Sequence, residues 1–106
     1  MQKINKIVYE ILKTLRDSMN ADEFDARRLD PDRLGTDKNT RDALLVMLLS
    51  KGYISGLEAT QYVGETRPTI NDLQYTKITL DGLEYFEENK WLRKAAKPAR
   101  HSKGIE

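Results

Sequence analysis

The sequence contains no cysteine, three prolines and a single histidine among its 106 residues. Without cysteine there is no disulfide framework, no cysteine-ligated zinc site and no thiol nucleophile within this chain. Such a composition suits a reducing compartment, so we expect a cytoplasmic protein. The histidine, His101, falls in a polar segment that cannot hold it for acid–base or metal chemistry. We therefore expect no catalytic site, no metal, no cofactor and no enzymatic activity.

Long apolar runs are also missing. The longest, residues 43–49, is too short to cross a bilayer, and residues 1–6 lack the apolar core of a signal peptide. The length is that of one domain. The sequence therefore predicts a single domain that does not enter a membrane.

Charge is distributed unevenly along the chain. Residues 1–89 hold 12 Lys and Arg against 16 Asp and Glu, a net charge of −4, whereas residues 90–106 hold six against one, a net charge of +5. Proteins that bind nucleic acid usually draw affinity from a basic footprint. The acidic part of the chain therefore argues against DNA binding, and the basic part is the feature that argues for it.

The domain is expected to end near residue 97. Trp91 and Leu92 are the last large apolar residues before that point, and residues 98–106 carry nothing that requires burial. We therefore predict a domain over residues 1–97 followed by a basic, disordered tail over residues 98–106.

Three helices are predicted in the first half of the chain. Apolar residues recur at helical spacing through residues 4–19. Residues 30–35 have a proline at the first helical position and a glycine at the end, the pattern of a very short helix. A third helix begins after a cap at Thr36 or Asp37 and runs to about Ser50. The second and third helices form a helix-turn-helix pattern, with the third in the recognition position.

The second half of the chain predicts a hairpin and a further helix. Residues 53–57 and 75–78 have the composition of strands, and residues 60–73 read as a long loop between them. Thr79 is a candidate helix cap, and residues 26–28 suggest one more short strand. This order predicts an α+β, mostly α fold: a winged helix-turn-helix with a three-helix core, a β-hairpin wing and a C-terminal helix.

Two motifs carry a resemblance to a known family. They are Gly-Tyr-Ile-Ser-Gly at residues 52–56 and Ile-Thr-Leu-Asp-Gly-Leu-Glu-Tyr-Phe-Glu-Glu-Asn at residues 78–89, followed by Trp91. In joint order and spacing, over most of residues 4–97, the chain resembles the YjcQ-like family of small winged-helix proteins from bacteria and their phages. The resemblance implies a winged helix and a bacterial or prophage origin. The family has no established activity, so it implies no site residues.

One functional hypothesis is a DNA-binding transcriptional regulator that acts as a dimer. Recognition helices place polar and basic side chains of their first turn against base edges. An arginine at the tip of a wing can enter a minor groove. The candidate DNA-binding residues are Lys38, Asn39, Thr40, Arg41 and Arg67.

The alternative is a winged-helix protein–protein adaptor, or a phage accessory protein, that does not bind DNA. If the core face of the third helix holds Leu44, Leu45, Met47 and Leu48, its outer face is partly apolar and bears a carboxylate that repels phosphate. An apolar strip outside the core more often marks a protein interface. The outer face would carry Asn39, Asp42, Val46, Leu49 and Ser50.

The predicted interface and oligomeric state involve the end of the domain as well. Residues 91–96 offer an apolar face after the main domain, which favours an isologous homodimer. The candidate protein-interface residues are Asp42, Val46, Leu49, Trp91 and Leu92.

Overall fold

The computed structural model describes residues 2–21, 24–60, 64 and 69–89 of the chain. It is an α+β structure, mostly helical, and its element order is compatible with a winged helix. No helix in the described ranges is both long and apolar enough to cross a bilayer. The predicted domain end at residue 97 and the predicted tail lie outside the described residues. The elements are α1 (Gln2–Asp17), a 3-10 helix (Ala26–Leu29), α2 (Pro31–Leu34), α3 (Lys38–Ser50), β1 (Ile54–Ser55), β2 (Glu58–Thr60), β3 (Thr69–Asp72), β4 (Lys77–Ile78) and α4 (Leu80–Glu88).

Helix α1 supplies the centre of the core. Its apolar stripe, predicted from helical spacing, is almost fully buried at Ile7, Ile11, Leu12 and Leu15, each no more than 1% exposed. The helix packs against α4 and β4, where Phe86 is also 1% exposed. The prediction of a helix over this region is confirmed.

The connection from α1 to α3 is built from two short helical turns. The predicted strand over residues 26–28 is wrong, because the Asp25 carboxylate accepts a hydrogen bond from the Arg27 backbone N–H at 3.1 Å and starts the 3-10 helix instead. Helix α2 has Pro31 at its first position, as predicted, and ends at Gly35, whose φ of 74° is left-handed. These turns place α2 directly before α3.

The hairpin consists of two successive antiparallel ladders. In the inner ladder β1 pairs with β4, with Ile54 opposite Ile78, and in the outer ladder β2 pairs with β3. The predicted loop over residues 60–73 is therefore too long, because β3 and the last residue of β2 lie within it. The chain passes between the ladders at Gly56, where a Cβ atom would collide with the Tyr75 carbonyl. Glycine is required at this crossing.

The end of α3 is joined to the start of α4. The Thr79 hydroxyl accepts a hydrogen bond from the Gly82 N–H at 3.0 Å, the predicted helix cap, and donates one to the Gly52 carbonyl at 2.6 Å. Beside it the rings of Tyr53 and Tyr85 stack with centroids 4.5 Å apart. These contacts fix the base of the hairpin relative to α3.

Candidate functional site

Helix α3, in the recognition position of the helix-turn-helix pattern, begins at a well-defined cap. The Asp37 carboxylate accepts a hydrogen bond from the Thr40 backbone N–H at 2.9 Å. A negative charge here also interacts favourably with the positive end of the helix dipole. Of the two predicted caps, Thr36 and Asp37, the structure uses Asp37, and this fixes the orientation of the first turn.

Arg41 lies inside the protein. Arg41 is only 7% exposed. Its Nε atom donates a hydrogen bond to Asp42 Oδ1 at 2.9 Å, and its Nη1 atom donates one to the Leu29 carbonyl at 3.2 Å. The guanidinium therefore ties the first turn of α3 to the 3-10 helix. Arg41 is therefore buried and engaged within the fold, and its predicted contact with DNA stays a prediction.

Asp42 is buried as well, at 7% exposure, and it joins Arg41 to a third charged group. Asp42 Oδ2 lies 2.8 Å from the Nζ atom of Lys38, whose side chain is 65% exposed. The expectation that Asp42 sits on the outer face of α3 is therefore corrected. Asp42 pairs with two cations of the helix, and its predicted place in a protein interface stays a prediction.

The outer strip of α3 consists of Asn39, Ala43 and Met47, which are exposed and follow one another at a spacing of four residues. Met47 is 60% exposed, so its predicted place in the core is wrong. Val46 and Leu49 are half-buried, and Leu49 packs against the hydrophobic core. The outer strip carries no charge and ends in a large apolar side chain.

An open depression lies beside the start of α3, with a volume of about 510 Å³. Its walls come from the N-terminal half of α1 and from the turn that joins α2 to α3. Two of its lining residues are isoleucines and two are carboxylates, so it is less suited to phosphate than to a cation with an aliphatic stem. The lining includes Ile4, Ile7, Asp32, Thr36, Asp37 and Thr40.

The structure brings only part of the predicted site together. Lys38, Asn39 and Thr40 share the first turn of α3, with Thr40 half-buried on the wall of the depression. Arg67, Trp91 and Leu92 lie outside the described residues, so their predicted roles stay predictions. In the ranges that the structure describes, no group of three or more His, Asp or Glu side chains is placed to hold a metal ion.

Two features of this surface are not in the set of residues predicted from the sequence. The sequence pattern predicts a core position for Met47, although its spacing from Asn39 through Ala43 places all three residues on one helical face. The depression depends on Ile4 and Asp32, which belong to different helices, and no local pattern indicates that they approach each other.

The fold and this surface define a small, mostly helical α+β domain, compatible with a winged helix, that presents an uncharged helix face. The chain belongs to the YjcQ family. The model of this family, described as YjcQ protein, matches residues 9–105. This match confirms the resemblance drawn from residues 52–56 and 78–89. No curated protein and no solved structure matches the chain.

Proposed function

We propose that the protein is a non-catalytic binding module that docks a partner protein through the outer strip of α3. The observation that carries the proposal is the division of α3 into a charged inner side and an uncharged outer side. Arg41 and Asp42 are 7% exposed, whereas Met47 is 60% exposed. Methionine adapts its shape to different partners and is common at surfaces that bind protein segments.

Electrostatics favour a protein partner over DNA. Affinity for DNA comes largely from cations that neutralise phosphates. The two cations in the first turn of α3, Lys38 and Arg41, both contact the Asp42 carboxylate. The adjacent depression adds the carboxylates of Asp32 and Asp37. A phosphate backbone that approached the start of α3 would therefore meet little uncompensated positive charge.

A DNA-binding regulator of bacterial or prophage origin is the second candidate, and the exposure of Asn39 favours it. This side chain is exposed in the first turn of α3, where an asparagine amide can pair with the N6 and N7 atoms of adenine. Residues 90–106, with a net charge of +5, would supply the phosphate contacts. In this hypothesis the protein acts as a dimer.

A photo-crosslinking experiment separates the two candidates. A benzophenone amino acid is placed at Met47 in the full chain, and a matched control carries it at Glu88, an exposed position of α4. In cells that normally make the protein, the proposal expects a protein adduct at position 47 that is absent at position 88. A DNA adduct at position 47 would support the regulator instead.

Substitutions in the outer strip give an independent answer. Met47→Ser should abolish the protein adduct formed from a benzophenone at the neighbouring position Ala43, and Asn39→Ala should leave it intact. For a regulator the reverse holds: Asn39→Ala should weaken specific DNA binding by roughly 1–3 kcal/mol in a gel shift, with little effect of Met47→Ser. Specific duplex binding that depends on Asn39 and not on Met47 would contradict the adaptor proposal.

The proposal also includes a cellular location and an oligomeric state. A chain without cysteine suits a reducing cytoplasm, where we place the protein. Homodimerisation through residues 91–96 remains a prediction. Sedimentation equilibrium checks it, since a single species of 12.2 kDa at high protein concentration would exclude the dimer.

A further inference from the structure

The depression beside α3 presents one carboxylate that has no ion-pair partner in the described part of the chain. This is the exposed Asp32, whereas the carboxylates of Asp25 and Asp42 each have a basic nitrogen within 2.9 Å. The second carboxylate of the lining, that of Asp37, already accepts a hydrogen bond from the Thr40 backbone N–H. The charge that the depression offers to a ligand is therefore that of Asp32.

Aliphatic and hydroxyl groups share the lining with this carboxylate. Ile4 of α1 is 37% exposed on the wall of the depression, and Thr36 and Thr40 line the side towards α3. The methylene stem of a lysine or arginine packs on aliphatic surface, while its charged head stays near carboxylates and water. A threonine hydroxyl can accept a further hydrogen bond from such a head group. The depression, with a volume of about 510 Å³, therefore has the chemistry and the room for a basic side chain.

The depression and the outer strip lie on the same side of α3. Thr40, on the wall of the depression, is seven residues before Met47, which is 60% exposed. Seven residues are two turns of an α-helix, about 10 Å along its axis, so the two side chains project to the same side. Ala43 is exposed between them, and its small side chain leaves room for a second helix to pack closely against α3.

We propose that the depression is a subsite for a basic side chain of the partner that docks on the outer strip, and that this partner presents an amphipathic helix. The helix carries a lysine or arginine at one position and an apolar side chain seven residues away, a separation of about 10 Å. The basic side chain enters the depression beside Asp32, and the apolar one packs on Met47. Complementary charge favours such a partner, since residues 1–89 have a net charge of −4. The subsite rests on the docking proposed for α3 and adds the chemistry of the partner to it.

A titration with two small molecules tests the subsite in the absence of a partner. The compound n-butylguanidinium has the stem and the charged head of an arginine side chain, and n-butylurea has a similar shape without the charge. In the ¹⁵N-labelled protein, the amide signals of Ile4, Thr36 and Thr40 should shift with n-butylguanidinium and shift much less with n-butylurea. Equal shifts with the two compounds, or shifts of the same size along α4, would overturn the proposal.

Two charge-matched variants test whether Asp32 binds the cation. Asp32→Asn removes the carboxylate inside the depression, and Glu84→Gln removes one exposed carboxylate on α4. Because an exposed ion pair contributes up to about fivefold in affinity, Asp32→Asn should reduce the shifts caused by n-butylguanidinium roughly two- to fivefold. Glu84→Gln should leave these shifts unchanged, and unchanged amide positions elsewhere in each spectrum show that the fold is retained. Equal effects of the two variants would exclude Asp32 as the group that binds the cation and overturn the subsite.

Charge reversal tests the subsite in the complex with the partner. With the benzophenone amino acid at Met47, Asp32→Lys should lose most of the protein adduct and Glu84→Lys should retain it, because a cation in the depression repels the basic side chain of the partner. A protein adduct that Asp32→Lys leaves unchanged would overturn the subsite alone. No protein adduct in any variant would overturn the docking proposal and the subsite with it. An adduct with DNA or with a second copy of this chain would assign the surface to a different occupant and would also overturn the subsite.

Discussion

The Thr79 hydroxyl donates a hydrogen bond to the Gly52 carbonyl at 2.6 Å, across 27 residues of sequence. Gly52 lies in the turn after α3 and Thr79 is the cap of α4, so one side chain joins the two helices that flank the hairpin. The backbone N–H of Thr79 also donates to the Tyr53 carbonyl at 3.0 Å. The position of the hairpin relative to α3 follows from this pair of bonds.

Thr79→Val tests this junction, because it removes the hydroxyl and nearly keeps the shape. The change loses both the bond to Gly52 and the cap bond from Gly82, and we expect the free energy of unfolding to fall by about 1–2 kcal/mol. Thr79→Ser retains the hydroxyl and should cost less. Equal losses in urea denaturation for the two variants would show that the hydroxyl is not the stabilising group.

Gly82→Ala should destabilise the protein, although alanine is normally favoured by about 1 kcal/mol over glycine within a helix. An added Cβ would collide with the Tyr53 carbonyl oxygen and lie 2.8 Å from Ile78 Cγ1. Overpacking of this kind costs about 1–3 kcal/mol. A rise in thermal midpoint on this substitution would mean that α4 does not approach β1 as closely as the structure shows.

Arg41→Ala should be strongly destabilising. It leaves the buried carboxylate of Asp42 with Lys38 as its remaining cation and the Leu29 carbonyl without its donor. A buried charge left with no partner costs about 3–5 kcal/mol, and because Lys38 still pairs with Asp42 we expect a loss nearer about 2–3 kcal/mol. The control is Arg33→Ala, an exposed arginine of α2, expected within about 0.5 kcal/mol of the parent. If chemical denaturation showed a loss of unfolding free energy under about 1 kcal/mol for Arg41→Ala, the side chain of Arg41 would have to be exposed and not buried.

Thr76→Val should stabilise the protein. Thr76 is 2% exposed, and in the described part of the chain its Oγ1 atom meets no hydrogen-bond partner. A buried hydroxyl without a partner costs about 1–3 kcal/mol, and valine replaces it with a methyl group of similar size. Thr76→Ser, which keeps the hydroxyl and loses the methyl, should not stabilise. Differential scanning calorimetry measures the thermal midpoint of both variants. If the Thr76 hydroxyl did have a hydrogen-bond partner, Thr76→Val would lower the thermal midpoint instead of raising it.

Stability should decline in alkaline solution in a way that depends on Tyr85. Burial raises the pKa of Tyr85 above its usual 10.0, and the neighbouring Tyr53 adds to the effect. Above pH 10 the unfolded chain therefore releases this proton more readily than the folded protein, and the free energy of unfolding falls as the pH rises. Tyr85→Phe should reduce the slope of unfolding free energy against pH in this range. Tyr75→Phe, at a 52% exposed tyrosine, is the matched control.

The sequence predicts the elements whose signals are local. The stripe of α1, the proline and glycine of α2, and the Thr79 cap are each encoded within a few neighbouring residues, and all appear where expected. The outer ladder is harder to predict, because β2 and β3 are separated by a segment with loop-forming residues, Gly64 and Pro68. Their pairing depends on contacts across the hairpin, and the residue pattern of one strand taken alone does not predict such contacts.

The predicted orientation of α3, that is, which of its side chains face the core, is wrong for a similar reason. Arginine and aspartate are almost always exposed unless paired, so the sequence favours surface positions for Arg41 and Asp42. Their burial depends on each other and on the Leu29 carbonyl, a partner twelve residues away that is presented by the 3-10 helix. Once these two residues occupy the inner side, Met47 turns outward. The candidate binding surface therefore follows from a tertiary hydrogen bond that no helical pattern contains.

The division of the hairpin into two ladders has a consequence for the order of folding. The innermost pair of the outer ladder, Thr60 with Thr69, closes a shorter loop than the pair Ser55 with Lys77 of the inner ladder. By the logarithmic dependence of loop entropy on length, the shorter closure costs about 0.8 kcal/mol less. We therefore expect the hairpin to close from tip to base. The bond between Thr79 and Gly52 would then be among the last contacts to form, and its loss would accelerate unfolding more than it slows folding.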